Sequence, residues 1–134
     1  LGKSDFSKIP NGAPGVEYRL LLLWDAVSKG RITENRFVEL TSTTPAKLFG
    51  LYPRKGHLSP GADADIVVID PNKPHTFGVK NHHSAADYNP YEGVTVRGSM
   101  SEVIVRGAAM VAGGKWVGKT SHGKFLKRTP RSFN

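Results

Sequence analysis

The chain contains no cysteine, which excludes a disulfide framework and any thiolate metal site and agrees with a reducing compartment. No apolar run approaches the roughly 20 residues needed to cross a membrane; the longest, RLLLLWDAV, is interrupted by Asp25. HxH, HExxH and paired CxxC motifs are all missing, so none of the compact spacings that place several ligands around one ion is present. The chain opens at Leu1 without an initiator methionine, so the lack of a leader excludes nothing and the start reads as cut. Acids are missing from the final quarter: Glu102 is the last, and seven Lys or Arg residues follow it.

That asymmetry concentrates the formal charge of +8 in a basic tail. Such a tail can bind a polyanion by counterion release. GKTSHGKFLKRTPRSFN, however, offers only Phe125 and Phe133 as stacking residues and carries no RRM, KH or zinc-finger signature. A free-standing basic nucleic-acid-binding module is therefore a subsidiary reading, and a solvated or partner-packing arm is the plainer one. The remaining composition, 38% hydrophobic and 22% charged, is too apolar for a disordered chain. At 134 residues it suits one domain or a piece of a larger one.

The richest cluster of metal-competent side chains is VKNHHSAADYNPYEG, residues 79–93. Neighbouring residues point to opposite faces of a strand and sit about 100° apart on a helix, so His82 and His83 do not easily face one ion. His83 and Asp87 share the i, i+4 spacing, but Asn89-Pro90 ends any helix soon after. The segment reads as a polar, partly buried loop, and we assign no metal ligand in this chain.

Hydrophobic periodicity divides the rest. After a loop rich in Pro and Gly, Val16, Leu20, Leu23, Trp24 and Val27 form one apolar stripe of a helix ending near Lys29-Gly30, widened by Leu21 and Leu22. Thr33, with Glu34 behind it, caps a second helix. Thr44-Pro45 has the N-cap and N1 pattern of a third, with Leu48 and Phe49 to bury and Gly50 as its stop. Beyond a turn-rich connector the period changes. DIVVID reads as a short strand buried on both faces, VTVRG and SEVIVRG as two more. Gly113-Gly114 makes a tight hairpin between residues 109–112 and 115–117. Helices first and strands second, with a boundary near Gly56, fit the junction of two domains, because some 55 residues of helix with a broad apolar surface need cover from elsewhere.

Three stretches together carry a resemblance. TSTTPAKLFGLYPRKGHLSPGADADIVVIDP resembles the handover from an amidohydrolase barrel to its accessory β-sandwich, and DFSKIPNGAPGVEYR with HHSAADYNPYEG narrows it to the dihydropyrimidinase and D-hydantoinase family. GADADIVVID alone would mark only the superfamily. The resemblance implies an α/β fold: residues 1–55 the last helices of a (β/α)8 barrel, 56–117 sandwich strands with an inserted loop at 72–93, and 118–134 a basic tail at a subunit interface, anchored by Phe125, Leu126 and Phe133. It implies a cytoplasmic homotetramer acting on a small cyclic amide or imide, with two Zn2+ per active site whose ligands all lie ahead of Leu1. No catalytic residue is then expected here. Asn11 of IPNG is the substrate-binding position the resemblance carries over, contacting the ring through backbone groups, with Pro10 stiffening the loop and Gly12 letting it approach. The neuronal collapsin-response proteins, which resemble the same family but lack the metal site, supply the non-catalytic alternative.

Overall fold

The computed structural model describes residues 2–9 and 11–129, so Pro10 and Phe133 lie outside it. The order of elements follows the change of period. After a single 3-10 turn, Phe6–Lys8, come α1 (Arg19–Ser28), α2 (Glu34–Val38) and α3 (Thr44–Leu48), then β1 (Ile66–Thr76), β2 (Thr95–Val105), β3 (Ala108–Ala112) and β4 (Lys115–Trp116). The strands form one antiparallel sheet in the order β1-β2-β3-β4.

Thr33 is the helix cap its sequence suggests: its Oγ1 accepts from Arg36 N–H at 3.2 Å. Thr44-Pro45 is not a new start. Thr44 is itself helical, at φ −65° and ψ −45°, and a π-helical turn over Glu39–Thr43 joins α2 to α3 without a break. There Thr44 N–H reaches back five residues to the Glu39 carbonyl. A proline inside an α-helix collides with the carbonyl four residues back, and the wider π turn accommodates it.

The buried face of α1 also differs from the expected stripe. Leu21 is the buried residue of the helix, with Tyr18 buried just ahead of it, while Val16 lies before the helix and is exposed. Tyr18, Leu21, Phe77 and Val96 form the core, flanked by Leu22, Tyr91 and Met100. The Tyr18 and Phe77 rings meet edge to face at 5.1 Å, an arrangement that adds ring electrostatics to apolar burial. Further along, Trp24 lies over Gly98 in β2 and against Phe37 of α2, at 5.5 Å between ring centroids. Asp25 Oδ1 accepts Arg97 N–H at 3.1 Å, so the helix is joined to β2 by a polar bond as well as by packing.

DIVVID opens a longer strand than its apolar run suggests. β1 continues past Pro71 and Pro74 to Thr76, with register shifts at Val68/Ile69 and between Asp70 and Pro74. Proline is tolerated because β1 is an edge strand and the irregularity frees the positions that would otherwise donate. Asp70 Oδ1 accepts Asn72 N–H at 2.9 Å inside that irregularity. Burial on both faces is not found: Val67 and Val68 are exposed in this chain. VTVRG and SEVIVRG are one strand, β2, because Gly98 at φ +103° bends the backbone without breaking the ladder. The Gly113-Gly114 hairpin is as expected, with φ of +57° and +76°, both residues left-handed as a type I′ turn requires.

The connector between helices and sheet is held by charge. Lys55 Nζ pairs with Asp63 at 2.9 Å and also with Asp65, while Asp65 Oδ1 accepts Arg106 N–H at 2.8 Å. Both aspartates of GADAD thus act as struts. The tail folds back along the chain: His122 Nε2 donates to the Val105 carbonyl at 2.9 Å, the Arg106 guanidinium donates to the His122 carbonyl, and Thr129 N–H donates to the Gly50 carbonyl at 3.0 Å.

Candidate functional site

Asn11 sits on an exposed loop ahead of α1, and residues 11–14 face residues 85–88 across a cleft of about 400 Å³. Gly12 takes φ +81°, a left-handed value that favours glycine, with open space where a Cβ would project. Its carbonyl accepts from Tyr88 O–H at 3.4 Å. A larger cleft of about 840 Å³ adjoins residues 13–18; its walls include Leu21, Phe77, His82, Met100 and Trp116.

The two adjacent histidines have different partners. Tyr18 O–H and His82 Nδ1 share a hydrogen bond at 2.5 Å. Burial pushes the Tyr18 hydroxyl pKa up, with the Glu17 and Glu92 charges adding to it, so the phenol keeps its proton. His83 instead grips Glu17 twice: its backbone N–H donates to Oε2 at 2.8 Å and its Nδ1 to Oε1 at 2.7 Å. Burial alone would raise the Glu17 pKa, but these two bonds and the nearby imidazole charges outweigh it and hold the carboxyl below its ordinary value. His75, beside Phe77 at 5.1 Å, is pushed down by burial and favours its neutral form.

The base of this loop is fixed to the sheet. Phe77 N–H donates to the Val94 carbonyl and Gly93 N–H to the Phe77 carbonyl, both at 2.9 Å. Glu92 Oε2 accepts Val79 N–H at 2.9 Å, and Asn89 Oδ1 accepts Tyr91 N–H at 2.8 Å. The double histidine therefore belongs to an ordered bracket lying beside the loop that bears Asn11. Sequence reasoning missed Glu17, Tyr18 and Tyr88 in this arrangement. They lie more than 60 positions from their partners, and no local pattern signals such a pairing.

Among the described residues, no three His, Asp or Glu side chains converge where they could hold a metal ion. No helix among them is long and apolar enough to cross a membrane.

Comparison with known proteins places these features in a wider frame. The profile of the amidohydrolase family matches residues 7–117. D-phenylhydantoinase of Escherichia coli (strain K12 / DH10B) is 48% identical over 131 residues, which cover 97% of this chain and 28% of that protein. The solved structure of D-hydantoinase from Bacillus sp. AR9 superposes with a TM-score of 0.91 at 47% identity, over 98% of this chain and 29% of that one. D-hydantoinase (dihydropyrimidinase) from Thermus sp. gives a TM-score of 0.90 at 48% identity, over 98% and 29%. The chain thus spans less than a third of the length of the relatives it matches.

Proposed function

Because this chain belongs to the amidohydrolase family, we propose that it forms one part of a longer metal-dependent enzyme that hydrolytically opens hydantoin or dihydropyrimidine rings at a cyclic amide bond. One observation carries the reading: 48% identity sustained along 97% of this chain with a D-phenylhydantoinase of which it covers only 28%. On this reading residues 1–55 are the closing helices of the catalytic barrel and 56–117 strands of an accessory sandwich. The exposed Val67 and Val68 then pack on polypeptide outside this chain. The basic tail is a contact between subunits of a tetramer, with Phe125, 93% exposed, and the half-buried Leu126 as its apolar anchors.

The resemblance calls for a two-zinc centre, and the residues present do not fit one. His82 and His83 are already engaged with Tyr18 and Glu17, and no other donors gather near them among the described residues. On the resemblance, the metal ligands belong to the rest of the longer polypeptide.

What this chain contributes is position. A cyclic amide presents an N–H and a C=O side by side, and on this reading the backbone groups of Asn11 meet them from an exposed loop. Holding the ring still before attack is worth rate, since a displacement of about 1 Å can cost on the order of a hundredfold. The test is ring opening of hydantoin and dihydrouracil by the full-length protein, compared with its Gly12→Ala variant. Alanine would meet no atom there, but the left-handed backbone would cost it about 1 kcal/mol. The expected result is ring opening by the parent and a fall of about tenfold in kcat/KM for the variant. A parent that opens neither ring refutes the enzyme reading in favour of a non-catalytic interaction protein. A fully active Gly12→Ala refutes the role of the loop.

A further inference from the structure

The hydrogen bonds between the Asn11 loop and the double-histidine loop follow a pattern. Gly12 bonds Tyr88, Glu17 bonds His83 and Tyr18 bonds His82. As one segment advances from 12 to 18, the other retreats from 88 to 82, residue for residue. The two segments therefore run antiparallel, held at both ends and separated in sequence by more than 60 residues.

The two ends differ in strength. At the core end Tyr18 is buried and fixed by Phe77 and Tyr91, so its bond to His82 ties the bracket to the sheet. Glu17 receives two bonds from a single residue, one of them from an imidazole, and hydrogen bonds to a charged group are roughly twice as strong as neutral ones. At the open end, where residues 11–14 and 85–88 face each other, Tyr88 holds the Gly12 carbonyl in a longer bond of 3.4 Å.

The geometry points to the 82–88 segment as a positioning clamp: His83 through Glu17, and Tyr88 through the Gly12 carbonyl, set the course of the loop whose Asn11 meets the cyclic amide. This inference rests on the substrate role proposed above for Asn11. His83 and Tyr88 are positioning residues, because each acts through another group and the reaction asks no proton of either. A left-handed glycine has wide backbone freedom, and a carbonyl held from one side removes much of it before substrate arrives, which is where preorganisation improves affinity.

The test uses the full-length protein with His83→Ala, His83→Asn, Glu17→Ala, the double variant His83→Ala/Glu17→Ala, and Tyr88→Phe. Steady-state kinetics on hydantoin and dihydrouracil are expected to show KM raised about three- to tenfold in His83→Ala and Glu17→Ala, and two- to threefold in Tyr88→Phe, as loss of one or two hydrogen bonds implies. The kcat should move much less. The double variant should be no worse than Glu17→Ala alone, since that substitution already removes both bonds, including the one from the His83 backbone N–H that His83→Ala leaves in place. Asparagine can place its Nδ2 where the imidazole has Nδ1, so His83→Asn should recover most of the loss. Hydrogen exchange of the peptide spanning residues 11–16 reads the clamp without activity, and is expected to quicken in His83→Ala. Unchanged exchange there overturns the clamp, whatever the kinetics. If the parent turns over and exchange quickens but every KM stays within twofold, the clamp's role in substrate binding is overturned. A parent inactive on both rings removes the substrate role and with it the functional half of this inference, while the exchange result still decides the clamp itself.

Discussion

Single residues set the tightest constraints on this chain, and Gly98 is the sharpest. A Cβ there would stand 2.4 Å from Trp24 Cδ1 and 2.7 Å from its Nε1, on a backbone at φ +103°. The helix can lie on β2 only because that side chain is missing. In the intact protein, Gly98→Ala is expected to lose about 2 kcal/mol or more, seen as a lower urea midpoint at unchanged m-value. Asp25 makes the second joint between the same elements. Its bond to Lys29 first, and then to Arg97 N–H, outweigh burial and hold its carboxyl below the ordinary range. A carboxyl depressed in the folded state stabilises fully above its unfolded pKa of about 3.9, and that stability is lost as pH falls through the folded value. Asp25→Asn should therefore lower the urea midpoint at pH 7 and flatten its decline below about pH 4; parallel acid limbs in parent and variant would count against the joint. Neither contact was legible in the sequence. Trp24 read as one member of an apolar stripe and Asp25 as an interruption, because Gly98 and Arg97, the β2 residues they meet, lie more than 70 positions downstream.

Helices and strands were legible where the signal is local. Thr33 capping Glu34–Val38 and the Gly113-Gly114 hairpin depend on neighbours within four residues, and both were foreseen. Thr44-Pro45 failed because the same two residue types serve at a helix start or inside a π turn, and only the preceding turn distinguishes them. The contrast is testable. Thr33→Ala should cost about 1 kcal/mol through the lost cap. Thr44→Ala, at an exposed position inside the continuous helix, should stay within about 0.5 kcal/mol. Equal losses in thermal or urea denaturation would mean that Thr44 caps a helix after all. The full length of β1 was hidden for a related reason: Pro71 and Pro74 look like strand breakers until the strand is known to be an edge.

At the scale of the whole molecule, the distribution of apolar surface matters most. Four residues, Tyr18, Leu21, Phe77 and Val96, make the buried core cluster, while Phe6, Val16, Trp116 and Phe125 stand exposed in a chain of 134 residues. Apolar surface on that scale marks a place where other polypeptide packs. Produced alone, the 134-residue chain should bind a hydrophobic dye strongly and aggregate, whereas the full-length protein should do neither; a soluble, dye-silent monomer would contradict the view that this chain is one part of a larger fold. The amino-acid order by itself determined the change from helical to strand period, the Thr33 cap, the Gly113-Gly114 turn and the family, since each rests on residue identity or on dihedral preferences a few positions long. Only the tertiary structure decided which face of α1 is buried, that His82 and His83 hold Tyr18 and Glu17, and that their loop lies along the one bearing Asn11. Those are pairings between distant segments, fixed when the chain closes on itself, and no short-range pattern encodes which partners will meet.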